Sequence, residues 1–162
     1  MEGLREKLAR KLIVYYFMKE RDRYAFILDK DQFVRLSLNK ILNKYGFRVE
    51  EIGDFSQLES RKKEIDRGII LADVETDVLE KSISLVRKWN DRLVFMSPLI
   101  TEELNLRLKK MGVRRIIKKP VEPRLLRRVI REICPSEEER PSSPGRGREK
   151  GSRSIQKGGE QT

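Results

Sequence analysis

Ile69-Ile70-Leu71-Ala72-Asp73 is an apolar run that ends abruptly in a carboxylate. Apolar residues in succession, rather than alternating with polar ones, suit a strand covered by helices on both faces, and Gly68 supplies the turn signal before it. Such a strand lies at the centre of a parallel sheet. The ligand crevice of an open parallel sheet lies beyond the carboxyl ends of its strands, so the acid that closes this run points into it. Asp73 is therefore a candidate functional residue, with capping of the next helix as its plainer alternative role.

Working outward, Tyr24-Ala25-Phe26-Ile27-Leu28-Asp29 repeats the pattern and delivers a second carboxylate to the same edge. A helix follows through Phe33, Leu36, Leu38, Ile41 and Leu42, closed by Tyr45-Gly46. Arg48 to Ile52 alternates like an edge strand, and Phe55 to Arg67 reads as a charged, weak helix anchored by Leu58 and Ile65. Beyond Asp73 the spacing predicts one helix from Val78 to Trp89, then a buried strand Leu93 to Met96 ending at Ser97-Pro98. Thr101 opens a helix with Glu in its first turn, which stops at Gly112. Val113 to Ile117 is the last strand, Lys119-Pro120 follows, and Pro123 starts a final helix through Leu125, Leu126, Val129, Ile130 and Ile133. Five strands alternating with helices predict a doubly wound parallel sheet covered on both faces.

Residues 1–23 read as an extra amphipathic helix, with Leu4, Leu8, Leu12, Tyr15 and Tyr16 returning at helical intervals between Arg5, Lys7, Arg10 and Lys11. A strand from Leu12 to Met18 is the competing reading, because Ile, Val, Tyr and Phe favour sheets. That apolar run is too short to span a membrane, and the charged Lys19 to Arg23 that follows offers no cleavage site for export, so a cytoplasmic protein is expected. Left undocked, the leucine stripe would expose apolar surface; it is expected to pack on the rest of the chain or on a second copy. At the other end, Pro135 to Thr162 holds one large aliphatic residue, Ile155, and reads as a disordered tail. The expected division is thus 1–23, 24–134 and 135–162.

Composition narrows the chemistry. A chain of 162 residues with 38% apolar content can bury one ordinary core. Cys134 is the sole cysteine and histidine is absent, which excludes an internal disulfide, thiolate or imidazole metal sites and any histidine-based triad. Any metal must be held by oxygen. The net charge of +11 suits a phosphate-bearing or acidic partner, although a solvated basic surface is the plainer reading.

The strand ends now carry, in order, Asp29, Asp73, Ser97 and Lys119 before a proline. With that order on those elements, residues 24–134 resemble the receiver domain of two-component response regulators, a flavodoxin-like fold. The resemblance implies that Asp73 accepts a phosphoryl group from a sensor histidine kinase or another phosphodonor. It implies that Ser97 and Lys119 contact the phosphoryl oxygens, and that magnesium is held by Asp29, Asp31, Asp73 and the backbone carbonyl of Glu75. Elementary chemistry agrees, since phosphoryl transfer asks mostly for positioning and positive charge on the equatorial oxygens. The Lys119-Pro120 bond is expected to be cis. No enzymatic activity of its own is expected. With no second folded domain legible after Cys134, output is expected to pass through a downstream protein partner, with a homodimer as a further possibility.

The departures are equally specific. Lys30 stands where the family places a second acid that ligates the metal directly, with Asp31 one step further on. An ammonium there would take the cation's place; a small shift of the loop would let Asp31 take over instead. Pro98 replaces the usual alanine, and Ile116 stands at the family's aromatic switch position. Two readings follow: a phosphorylatable receiver, and a phosphate-independent pseudo-receiver that acts as a protein- or nucleic-acid-binding module. For the second, the basic face of Lys109, Lys110, Arg114, Arg115, Arg124, Arg127, Arg128 and Arg131 is the candidate surface. An acidic protein is its first expected partner and nucleic acid its second.

Overall fold

The computed structural model describes residues 2–135, without the side chains of residues 2 and 15–21. All but Pro135 of the tail expected over 135–162 therefore lies outside the described residues, as do the Tyr15 and Tyr16 side chains. In chain order the elements are α1 (Glu2–Arg21), β1 (Arg23–Leu28), α2 (Gln32–Lys44), β2 (Phe47–Glu51), a 3-10 turn at Phe55–Leu58, α3 (Lys62–Asp66) and β3 (Ile69–Ala72). They continue with α4 (Thr76–Lys81), α5 (Ile83–Lys88), β4 (Leu93–Ser97), α6 (Glu102–Lys110), β5 (Arg115–Lys118) and α7 (Pro123–Ile133).

All strand pairs are parallel and the five strands run in the order β2-β1-β3-β4-β5. The chain leaves β1 toward one edge and returns on the other side of it, so β1 and β3 flank the topological switch point where crevices form. Register then decides what meets there. Leu28 pairs with Ala72, and the Asp73 amide donates to the Leu28 carbonyl at 2.8 Å, so Asp29 and Asp73 leave the sheet side by side.

The unbroken apolar strands serve two cores because their side chains alternate between faces. Ala25, Ile27, Ile69 and Leu71 pack with Leu38 and Leu42 of α2 and with Leu126, Val129, Ile130 and Ile133 of α7. Phe26, Leu28, Ile70 and Ala72 pack on the other side with Phe55, Ile65, Leu79, Val86, Trp89 and Leu108. Gly68 lets the chain enter β3 at close range: a Cβ there would collide with the backbone carbonyl oxygens of Tyr24 and Glu64. Gly46, with φ of +80°, supplies the left-handed residue that ends α2.

Several boundaries differ from the sequence pattern. The segment Val78 to Trp89 is two short helices parted at Ser82 (φ −106°, ψ 26°). Phe55 to Arg67 is likewise divided. Asp54 and Gln57 form a capping box on the 3-10 turn, which ends before α3 begins, while Phe55, Leu58 and Ile65 stay fully buried as anchors. β5 starts at Arg115, later than Val113, although Val113 remains buried.

The competing strand at Leu12 to Met18 is not formed; α1 is helical throughout. Its expected packing on the rest of the chain is not found either. Residues 3–14 are all exposed, and Leu4, Leu8, Leu12, Ile13 and Val14 are each more than half exposed. Leu12, Ile13 and Val14 are consecutive, so they project to different sides of the helix and give no single face to lay on a sheet. No helix among the described residues is long and apolar enough to cross a membrane.

Candidate functional site

β1 carries its terminal acid into the interior. Asp29 is the one buried charged residue among those described. Its Oδ1 accepts from the Asp31 amide at 2.9 Å and its Oδ2 accepts from Lys119 Nζ at 2.8 Å. Asp73, at the end of β3, keeps 26% of its side chain exposed and accepts from the same Nζ through Oδ2 at 2.5 Å. Lys119 reaches them because its backbone continues the β4 ladder, its amide donating to the Ser97 carbonyl at 2.9 Å. The bond from Lys119 to Pro120 is cis.

One ammonium therefore touches both carboxylates and supplies two attractions against their single mutual repulsion. At an effective dielectric of about 20 each contact is worth roughly 6 kcal/mol before desolvation, enough to keep the lysine charged where its side chain is only 12% exposed. Burial by itself lowers the Lys119 pKa; the hydrogen bonds and charges of Asp29 and Asp73 overcome that and hold it above the ordinary lysine value.

The other expected site residues are placed less centrally. Lys30 lines the crevice but is exposed; the ammonium between the acids belongs to Lys119. Asp31 is the N-cap of α2, its Oδ1 accepting from the Phe33 and Val34 amides at 2.9 and 3.5 Å. The Glu75 carbonyl starts α4 by accepting from the Val78 and Leu79 amides at 3.0 and 3.3 Å. Ser97 Oγ donates to the Leu99 carbonyl at 2.9 Å, and the Leu99 amide lies 3.4 Å from the same oxygen. One residue at the site escaped the sequence reading. Arg35 Nη1 donates to the Asp29 carbonyl at 2.7 Å, and its Nε lies 3.5 Å from Glu51 Oε2. Its position one helical turn after Asp31 was the available signal.

Magnesium, the metal implied by the resemblance, asks for near-octahedral oxygen donors, with carboxylates free to bind. Here both Asp29 oxygens and Asp73 Oδ2 are engaged, leaving Asp73 Oδ1 as the one open oxygen of that pair; Asp31 is occupied by helix amides, the Glu75 carbonyl closes a helical turn, and Lys30 adds a positive charge at the rim. Among the described residues no three acidic or thiol side chains gather into a metal-ligand group. The donor set does not fit a resident magnesium ion.

From the two acids a groove of about 1130 Å³ runs past Lys30 and Glu75 toward Val78, Leu85 and Trp89. On another part of the surface Arg124, Arg127, Arg128 and Arg131 of α7 are all exposed and border a hollow of about 420 Å³ together with Glu132.

No protein-family model matches the sequence, and no curated protein matches it. Its likeness is to solved structures. A response regulator from Thermotoga maritima aligns with 69% of this chain and 98% of its own, at 20% identity and a TM-score of 0.54. A CheY-like response regulator receiver domain protein from Methanospirillum hungatei aligns with 69% of this chain and 94% of its own, at 22% identity and a TM-score of 0.52. The receiver domain of a sensor histidine kinase from Pseudomonas aeruginosa, which has a magnesium ion coordinated in its active-site cleft, covers 69% of this chain and 98% of its own at 15% identity, with a TM-score of 0.52. Fold and strand order are thus those of a flavodoxin-like fold of the receiver type. At these identities the likeness is one of fold, and the pocket's own residues carry the functional argument.

Proposed function

We propose that this chain is a receiver-fold signalling module that works by binding a partner, without accepting a phosphoryl group on Asp73. The observation that carries this reading is the bridge from Asp29 through Lys119 to Asp73, in a pocket where Lys30 occupies the place of a second metal-binding acid. Phosphoryl transfer to a carboxylate needs a free attacking oxygen and cationic groups on the oxygens of the incoming phosphoryl. Among the described residues Lys119 is the one cation in contact with Asp73, and it already serves two carboxylates. With Lys30 at the rim the chain's own two lysines offset the two carboxylates, which supports a pocket that a partner recognises as it stands.

A phosphorylatable receiver is the second reading, favoured by the partial exposure of Asp73 beside an open groove. Incubation with a small acyl phosphate and magnesium, followed by intact-mass measurement, separates the two. The proposal expects no gain of a phosphoryl mass. A magnesium-dependent gain that Asp73→Asn abolishes would establish the second reading in its place.

A further inference from the structure

α7 divides its side chains sharply. Leu126, Val129, Ile130 and Ile133 are buried against the sheet, while Arg124, Arg127, Arg128 and Arg131 are exposed. Intervals of three and four residues align these arginines along about 10 Å of helix. Arg124, Arg127 and Arg128 make no hydrogen bond or ion pair among the described residues, and the neighbouring Glu132 is drawn toward Arg115 at 3.5 Å.

The kind of partner follows from what this face lacks. Protein interfaces are anchored by apolar or aromatic side chains at their centre. Among the described residues, the exposed large apolar ones lie at positions 4, 8, 12, 13, 14, 33, 36, 78, 99 and 106, none of them on α7. Single-stranded nucleic acid is held by aromatic stacking platforms, and α7 contains no aromatic residue. Insertion into a lipid surface needs an exposed apolar face, whereas that of α7 is covered by the sheet. A row of guanidinium groups without anchors matches the phosphate oxygens of a duplex, and the chain's net charge of +11 favours the same encounter.

We infer that the outer face of α7 binds the phosphate backbone of double-stranded nucleic acid, without reading its sequence. This extends the binding-module reading of the pocket, and the two fail separately, because neither magnesium nor an acyl phosphate enters the test. Fluorescence anisotropy of the full chain with a labelled mixed-sequence DNA duplex of about 20 base pairs, followed across salt concentrations, reads it directly. Log affinity should fall against log salt with a slope of about −3 to −4, for three to four neutralised phosphates. Arg127→Glu with Arg128→Glu should weaken binding at least about tenfold and flatten the slope by about 2, with thermal melting unchanged because both residues are exposed. The same charge reversal at the exposed pair Lys62 and Lys63 of α3 should have a much smaller effect. Absence of binding at low salt, equal loss from both charge reversals, or tighter binding to a single strand or to phosphatidylserine vesicles would overturn the inference.

Discussion

Lys119 Nζ lies 2.5 Å from Asp73 Oδ2 and 2.8 Å from Asp29 Oδ2, so the lysine after the last strand closes the crevice that the first and third strands open. The contact joins both sides of the switch point with an internal cation. It also ties stability to the residue that a phosphoryl site would use for chemistry.

Replacing Lys119 by methionine keeps the aliphatic stem and removes the charge, leaving Asp29 buried beside Asp73 with no counter-ion. Denaturant unfolding at neutral pH should show a loss of about 3 kcal/mol, the range found when one partner of a buried pair is deleted. The pH dependence has a definite sign. The Lys119 pKa is raised by folding, so its stabilisation is complete below the unfolded lysine value of about 10.4 and is lost as pH climbs through the folded value. The difference between wild type and variant should therefore hold steady from neutrality to about pH 10 and narrow above it. A difference below about 1 kcal/mol at neutral pH would mean the bridge is structurally idle.

A second pH effect lies on the acid side, away from the crevice. Arg61 grips Glu50 with two hydrogen bonds of 2.6 and 2.7 Å and reaches Glu64 at 3.2 Å, and its guanidinium lies 5.2 Å from the centre of the Phe26 ring. The Arg61 hydrogen bond holds the Glu50 carboxyl below the usual range, against the opposing pull of burial. A lowered folded value gives stability that is present above the unfolded glutamate pKa of about 4.3 and lost as pH falls through the folded one. Arg61→Lys breaks the two-pronged geometry. Its destabilisation should be plain at pH 7 and shrink below about pH 4, as followed by thermal melting.

Removing residues 2–14 should leave the melting temperature within about 2 °C of the full chain, since every side chain from 3 to 14 is exposed. A drop beyond about 5 °C would place that helix against the sheet domain in solution.

How much of this was legible beforehand depends on the kind of signal. Asp29 and Asp73 were readable because a buried parallel strand is an apolar run and the polar residue that ends it has only the crevice to enter, whereas Lys119, after the half-buried β5, was read from the proline that follows it and the resemblance to receivers. The cis bond before Pro120 followed from the same resemblance. The roles of Asp31 and Glu75 were not readable, because a carboxylate or carbonyl near a helix start serves the helix or a ligand equally well in sequence, and only the Phe33, Val34, Val78 and Leu79 amides decide. The helix breaks at Ser82, although the spacing of Val78, Leu79, Ile83 and Val86 is that of one continuous helix. The Leu4, Leu8 and Leu12 stripe predicted burial, yet periodicity alone does not say what covers a stripe. Lys30 stood out in the sequence as the departure in the pocket, while the cation between the acids is Lys119.

The central claim, that Lys119 between the two acids and Lys30 at the rim together offset both carboxylates and leave no magnesium site, is tested most directly by calorimetric titration with magnesium to about 10 mM. Wild type should release no binding heat, and Lys30→Asp, which adds a free carboxylate at the rim, should gain a measurable site. Saturable magnesium binding by the unmodified protein, abolished by Asp73→Asn, would contradict the account.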